Sequence, residues 1–401
     1  MRNRCLLDYN RSIDILLTEH RKEASAVLRI FVTGDHHIGL KYASHPKAAQ
    51  LSAARLEAFT DMVACANGEN CGLFVITGDL FENTYSIARK DIRALLQILS
   101  GFHGMVAILP GNHDYYDEDT KLWTWFREEL QTTDNLVLLN EERPYSLYIQ
   151  GEQVVLYPAP CKSLHSEPGK NNLGWIRETQ FPENAAYRIG IAHGAVEGET
   201  IDREGQYFLM RRRELEAIAV DVWLLGHTHV PFPRDLTEQF TGGNRIFNPG
   251  THVQTDVSCN TEGLCFVVQI DDDKTVLAKR VHSGKLRFCR IHTALQPGKM
   301  ETQLQQALQP LSDETVVDLI LSGAVTAEEY ESRFSLTDRL LSRFVEGTVR
   351  DTDLSKLISR SVIEAEFPET SFSAKFLTAL LDEPKEAQLA YELLTALKEG
   401  K

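Results

Sequence analysis

Five short apolar runs, each ending in a block of carboxylate, imidazole or amide residues, constrain this chain more than anything else in it. The runs are Ile30 to Val32, Leu73 to Ile76, Val106 to Leu109, Ile189 to Ile191 and Val222 to Leu225. The blocks behind them are Gly34-Asp35-His36-His37, Gly78-Asp79, Gly111-Asn112-His113-Asp114, Ala192-His193-Gly194 and Gly226-His227-Thr228-His229. Continuous apolar runs bounded by Gly or Pro read as strands buried on both faces. If their ends lie side by side, the blocks converge on one rim of a sheet, where open α/β sheets hold their ligands.

Between these runs the spacing turns helical. Ala48 to Ala66 carries Leu51, Ala54, Leu56, Phe59, Met62 and Val63, and Ile87 to Leu99 carries Ile92, Leu95, Leu96, Ile98 and Leu99. Such β-α-β order predicts a largely parallel core. From Tyr145 the strands shorten: Ser146 to Ile149, Gln153 to Tyr157, Cys265 to Ile270 and Val276 to Arg280, the last two joined by a turn at Asp271-Asp272-Asp273. A second sheet packed on the first is the simplest account of residues 28–284. Residues 285–352 alternate again (Leu286 to Ile291, Glu301 to Leu311, Thr315 to Leu321, Ala327 to Phe344, Glu346 to Arg350) and predict a small α+β domain. Residues 353–401 read as a helical tail with two apolar stripes separated by Pro384: Phe376, Leu377, Leu380 and Leu381, then Leu389, Leu393, Leu394 and Leu397. This hairpin either packs on the small domain or binds a partner. Residues 1–27 read as an N-terminal extension: a mobile extension or an early start codon on one reading, a docking helix on the other. The expected fold class is α/β (α+β): a four-layer β-sandwich flanked by helices, with a small C-terminal α+β domain and the tail.

A chain of 401 residues suits two or three domains, and 43% hydrophobic with 25% charged residues is ordinary for a globular protein. The seven cysteines are scattered and form no C-x-x-C pair, which fits reduced thiols in a cytoplasm better than a disulfide framework. The sequence has no apolar stretch long enough to span a membrane. The net charge of −15 weighs against a protein that grips nucleic acid by itself, because such proteins are usually basic.

The blocks carry a definite chemistry. Cleaving a phosphoester needs a nucleophile at neutral pH and a sink for charge on the phosphorus oxygens, and two cations a few ångströms apart supply both. A carboxylate bridges two cations best, and imidazole with carboxylate suits manganese, iron or zinc rather than calcium. Asp35, His37, Asp79, Asn112, His193, His227 and His229 provide such a set. In Asp35-x-His37 and His227-x-His229 the side chains share a face if strand geometry continues. A lone Asp-x-His or His-x-His would be an ordinary polar pair; five blocks in this order, each after a strand, are not.

The five blocks resemble the motifs of the calcineurin-like metallophosphoesterase superfamily. The resemblance implies a metallophosphoesterase with one metal held by Asp35, His37, Asp79 and His229. It implies a second held by Asp79, Asn112, His193 and His227, with Asp79 bridging. His113 would stabilise the transition state or protonate the leaving oxygen, and Asp114 would orient His113. Three features resemble the SbcD-type branch of DNA double-strand-break repair exonucleases: Gly78-Asp79-Leu80-Phe81, His193-Gly194-Ala195-Val196-Glu197-Gly198, and Asn248-Pro249-Gly250-Thr251 ahead of a small domain. That branch implies DNA as substrate, a coiled-coil ABC-type ATPase (SbcC-like) as partner, and a homodimer. Thr228 departs from it, standing where the branch often has an aliphatic residue, although Thr is common there across the superfamily.

Three functions remain in view. The leading one is a manganese-dependent DNA nuclease in a repair or defence complex. The second is a phosphodiesterase or phosphatase for a small molecule, which the acidic charge and Thr228 favour. The third, a scaffold that keeps the fold alone, predicts lost ligands, and every expected ligand is present. Arg211-Arg212-Arg213, with Arg203 nearby, reads as a phosphate contact or as a solvated helix face beside Glu214 and Glu216. Tyr115 and Tyr116 would stack on a base or pack. His36 and His252 are expected to bind no metal.

Overall fold

The computed structural model describes residues 27–43, 45–182, 185–199, 205–259 and 261–398. The extension expected at 1–27 lies outside the described residues apart from Val27, and so does Arg203. The described residues form two compact units, one drawn from 27–43, 48–253 and 261–285, the other from 45–47, 254–259 and 286–398.

The first unit runs β1 (Leu28–Thr33), α1 (Ala48–Gly68), β2 (Leu73–Ile76), α2 (Arg89–Leu99), β3 (Met105–Ile108), α3 (Lys121–Leu130), β4 (Leu136–Leu138), β5 (Tyr145–Ile149), β6 (Glu152–Ala159), α4 (Gly174–Glu178), β7 (Tyr187–His193), α5 (Arg212–Ala217), β8 (Val222–Gly226), β9 (Thr241–Gly242), β10 (Ile246–Phe247), β11 (Leu264–Ile270) and β12 (Val276–His282). One sheet has the order β4-β3-β2-β1-β11-β12-β9, parallel from β4 to β1 and antiparallel beyond. The other has the order β10-β8-β7-β6-β5, parallel except for β5.

Side-chain alternation assigns the layers. Ile30, Val32, Val75 and Ala107 of the first sheet share one core with Val154, Leu156, Ile189, Ile191 and Leu224 of the second. The intervening Phe31, Phe74, Ile76 and Ile108 face Phe59, Met62, Ile92 and Leu95 on α1 and α2. On the far side Val155, Tyr157, Trp223 and Leu225 face Ile176 of α4 and Leu215 of α5. Both faces of each central strand are therefore buried, which is why the strands read as unbroken apolar runs. The result is the expected four-layer sandwich of two sheets between helices.

The second unit runs β13 (Arg287–Leu295), α6 (Met300–Leu308), β14 (Thr315–Val325), α7 (Ala327–Leu341), β15 (Glu346–Lys356), α8 (Arg360–Glu366), α9 (Phe372–Ala379) and α10 (Pro384–Lys398). Its three strands are parallel in the order β13-β14-β15. Thr326 caps α7: its hydroxyl accepts from Glu329 N at 3.2 Å, and the Glu329 carboxylate accepts from Thr326 N at 2.9 Å. The strands run past their apolar cores because polar residues such as Ser322 and Asp353 still pair in the ladder.

The two helices expected around Pro384 are α9 and α10, and the tail holds more ahead of them. Its first residues complete β15, and three helices follow. Ile358, Ile363, Phe367, Ala374, Leu377, Ala387 and Ala390 make their shared core. Lys385 pairs with Asp353 at 2.7 Å, and the Gln388 side chain accepts from Lys356 N, so α10 is tied to β15. The inward stripe of α10 is Ala387 and Ala390, with Leu394 half-buried beside them; Leu389, Leu393 and Leu397 are 61%, 58% and 74% exposed. Among the described residues no helix is long and apolar enough to cross a membrane.

Candidate metal centre

The seven expected ligands meet at the C-terminal ends of β1, β2, β3, β7 and β8. Asp35, His37 and His229 form one converging group, and Asp79, His193 and His227 another, with the ligand atoms of each group within 4.8 Å of one another. Asp79 Oδ2 lies 3.2 Å from His193 Nε2 and 3.8 Å from His37 Nε2, so its carboxylate faces both groups. Asn112 Oδ1 lies 3.0 Å from His193 Nε2 and 3.0 Å from His227 Nδ1. The Nε2 atoms of His37 and His229 face each other at 2.9 Å. Two imidazole nitrogens, one buried and one half-buried, aimed at one point with carboxylates beside them suit a shared cation, and the donor set fits two such ions.

The backbone delivers these groups in a way the spacing does not reveal. Asp35 (φ 51°), His37 (φ 46°), Asp79 (φ 48°), His227 (φ 107°) and His229 (φ 53°) all have positive φ. Strand geometry does not continue through Asp35-x-His37 or His227-x-His229, so alternation is not what brings each pair together. The chain turns through left-handed conformations, which Asp, Asn and His tolerate better than most residues. Tight packing enforces the turns. His36 N and His37 N both donate to the Asp79 carbonyl at 2.8 and 2.9 Å, and both Asp35 oxygens accept from His227 N at 2.9 and 3.1 Å. Gly111 is required here, because a Cβ would strike the Asp79 backbone nitrogen and carboxylate.

Neighbouring groups set the imidazole tautomers. His193 Nδ1 donates to the Thr77 carbonyl at 2.9 Å, which leaves Nε2 as the ligand atom. Glu82 Oε2 lies 2.9 Å from His37 Nδ1. Nδ1 of His113 donates to the Glu82 carbonyl at 3.1 Å. Glu82 thus touches both a candidate ligand and the candidate acid, and the sequence reading missed it. A lone Glu after an apolar Leu-Phe pair gives no signal of such a place. Arg55 was missed too: it is 1% exposed on the apolar face of α1, and its guanidinium donates to the His36 carbonyl at 2.6 and 3.0 Å. An arginine among Leu51, Phe59 and Met62 is its only trace in the sequence.

Charge is distributed unevenly across the centre. Burial alone would raise the Asp79 carboxyl, but His193, His37 and His113 hold it below the usual range. Burial alone would lower His193, yet Asp79 raises it. Burial and the charge of His193 push His227 down to about 4, and burial lowers His229.

Asp114 takes a different place from the one expected. Its carboxylate accepts from Gly111 N at 2.7 Å and from Phe81 N at 3.0 Å, and does not bond the His113 ring. Being fully buried beneath two loops, it fixes backbone rather than imidazole. Thr228 closes its own turn, donating to the Val230 carbonyl at 2.8 Å and accepting from Asn248 Nδ2 at 2.9 Å. His36 bonds Thr33 at 2.8 Å and His252 bonds the Arg55 carbonyl at 2.9 Å, so both are occupied away from the cluster. Tyr116 packs on Trp123, and Trp123 Nε1 donates to the Tyr115 carbonyl at 2.8 Å.

No curated protein matches the chain. Among solved structures, a Thermus thermophilus protein is similar at 13% identity over 64% of this chain and 99% of that one, with a TM-score of 0.39. A purple acid phosphatase from yellow lupin (Lupinus luteus) seeds is similar at 14% identity over 64% of this chain and 54% of its own, with a TM-score of 0.35. A dimetal phosphatase from Danio rerio is similar at 11% identity over 61% and 95%, with a TM-score of 0.35. The family model described as calcineurin-like phosphoesterase matches residues 28–231, just over half of the chain and all five blocks. That family uses a dimetal centre, and with this match the chain belongs to it, as a metal-dependent phosphoesterase.

Proposed function

We propose that this protein is a manganese-dependent DNA nuclease of the SbcD type, the catalytic subunit of a repair or defence complex in the cytoplasm. What supports this reading above all is the second unit. Beyond the unit that holds the metal centre, the chain adds a parallel three-stranded domain with a helical tail. The tail also presents Leu389, Leu393 and Leu397 to solvent at helical spacing, the kind of stripe an amphipathic partner helix covers. A coiled-coil ATPase would supply such a helix, and the nucleic-acid contacts that a chain of net charge −15 lacks in bulk.

The site residues take definite roles in this reading. Asp35, His37, Asp79 and His229 would hold one ion, and Asp79, Asn112, His193 and His227 the other. Bound ions supply charge neutralisation on the phosphoryl oxygens and acidify a water. His113 donates from Nδ1 to the Glu82 carbonyl, and through Nε2 would stabilise the transition state or protonate the leaving oxygen. Asp114 holds the loop that carries His113.

The test is cleavage of end-labelled single-stranded and duplex DNA with manganese, beside bis-para-nitrophenyl phosphate and cyclic nucleotides. Asp79→Ala and His113→Ala are expected to abolish DNA cleavage. Turnover of the small esters with DNA left intact, even after the coiled-coil ATPase is added, would overturn the reading. It would favour the second one, a small-molecule phosphodiesterase, to which the acidic charge already lends weight.

A further inference from the structure

In the unit that holds the metal centre lies a cavity of about 900 Å³. Four cations line it, Lys170, Arg177, Arg211 and Arg213, against one carboxylate, Glu214. In a chain of net charge −15 this is a local reversal of sign. The arginine triplet divides here. Arg212 turns to Glu216 at 2.9 Å and lies over the Phe232 ring, while Arg211 and Arg213 face the cavity.

Apart from Glu214, whose side chain is 15% exposed, the counter-ions of this cavity are weak. Arg177 pairs with Glu214 at 2.7 Å. Lys170 pairs with Glu167, whose side chain is 73% exposed, and Arg211 reaches Glu197 only at 4.0 Å. Arg213 has no ion pair among the described residues. Exposed pairs of this kind contribute little and yield readily to a polyanion.

Two segments, residues 164–171 and 205–211, link the cavity to the metal centre. The Leu164 carbonyl accepts from Asn112 Nδ2 at 3.4 Å, and the Tyr207 ring lies 5.1 Å from that of His227. Past those points the loops stay paired: Phe208 N donates to Ser166 Oγ at 3.1 Å, Gly169 N to the Gly205 carbonyl at 2.8 Å, and Asn171 Nδ2 to the Leu209 carbonyl at 2.9 Å. Ala195 N donates to the Tyr207 carbonyl at 2.7 Å, and Met210 N to the Ala195 carbonyl at 2.8 Å, which registers the loop on the segment after His193. Leu209, on the cavity wall, is two residues from Tyr207, about 7 Å of extended chain at most.

We infer that this cavity is a phosphate-binding subsite for the nucleic-acid strand flanking the scissile bond, with Arg211 and Arg213 as the phosphate contacts. The inference rests on the nucleic-acid reading above. Guanidinium groups bind phosphate oxygens in bidentate fashion, and contacts of this kind position a strand without reading its bases.

The experiment measures KM and kcat for single-stranded DNA over a series of salt concentrations, using the full-length manganese-loaded protein. The Arg211→Ala/Arg213→Ala double variant should raise KM several-fold and leave kcat and bis-para-nitrophenyl phosphate turnover in place. The slope of log KM against log salt should fall by roughly 0.7 for each arginine–phosphate pairing removed. Arg212→Ala should move neither quantity. Glu197→Gln, which frees Arg211, should lower KM, and it decides the matter if the double variant does not fold. DNA cleavage with unchanged KM and slope in these variants would overturn the subsite alone. A wild-type protein that hydrolyses the small ester and never cleaves DNA would overturn the nucleic-acid reading, and the subsite with it.

Discussion

At the scale of single residues, the centre depends on groups that bind no ion themselves. Glu82 stands 2.9 Å from His37 Nδ1, the contact that orients a ligating imidazole and raises its basicity. Glu82→Gln should weaken manganese binding roughly 10- to 100-fold, measured by calorimetry on metal-free protein. Unchanged affinity would reduce Glu82 to a bystander. Arg55 holds the carbonyl of His36 from beneath, and Arg55→Met leaves that buried carbonyl unpaired. The expected cost is about 2–4 kcal/mol, read as a lower denaturation midpoint at constant m. Arg55→Lys should recover only part of it, since one ammonium cannot reproduce the forked donation.

At the scale of elements, the three strands of the second unit are stitched by one carboxylate. Asp318 on β14 accepts from Arg290 Nε on β13 at 2.6 Å, and from Arg350 Nε on β15 at 3.1 Å. Burial raises its carboxyl, but Arg350 and Arg290 prevail and hold it below its ordinary 3.8. A depressed acid stabilises the fold in full above its unfolded pKa, and the contribution drains away as pH falls through the folded value. Asp318→Asn should therefore cost about 1–3 kcal/mol near neutrality. The gap between variant and wild type should close as pH drops below 3.8, followed by circular dichroism melts; a gap that stays constant with pH would refute the assignment. This triad also shows what a sequence hides. Legible in the chain are the apolar runs, their β-α-β order and the convergence of five blocks, because all of these follow from burial and period. The cross-strand partners of Asp318 depend on register between strands far apart in sequence, which no local pattern encodes. The exposure of Leu389, Leu393 and Leu397 is hidden for a related reason. Two candidate faces of α10 carry apolar residues, and only the packed neighbours decide that the small-residue face, Ala387 and Ala390, goes inward.

At the scale of the whole molecule, ions that bind the folded centre and not the open chain must stabilise the first unit. At a hundredfold excess over its dissociation constant each ion contributes about 2.7 kcal/mol. Chelation should therefore abolish ester hydrolysis and lower the melting temperature, and manganese should restore both; a melting temperature indifferent to metal would argue against a centre built from these residues. The left-handed turns at five of the seven ligands carry a wider consequence. Conformations of this kind cost of order 1–3 kcal/mol each and persist only when the surroundings impose them. The centre is thus a property of loops clamped by the sandwich, not of seven side chains. An engineer who copied Asp35, His37, Asp79, Asn112, His193, His227 and His229 onto the ends of regular strands elsewhere would transplant the inventory and lose the site.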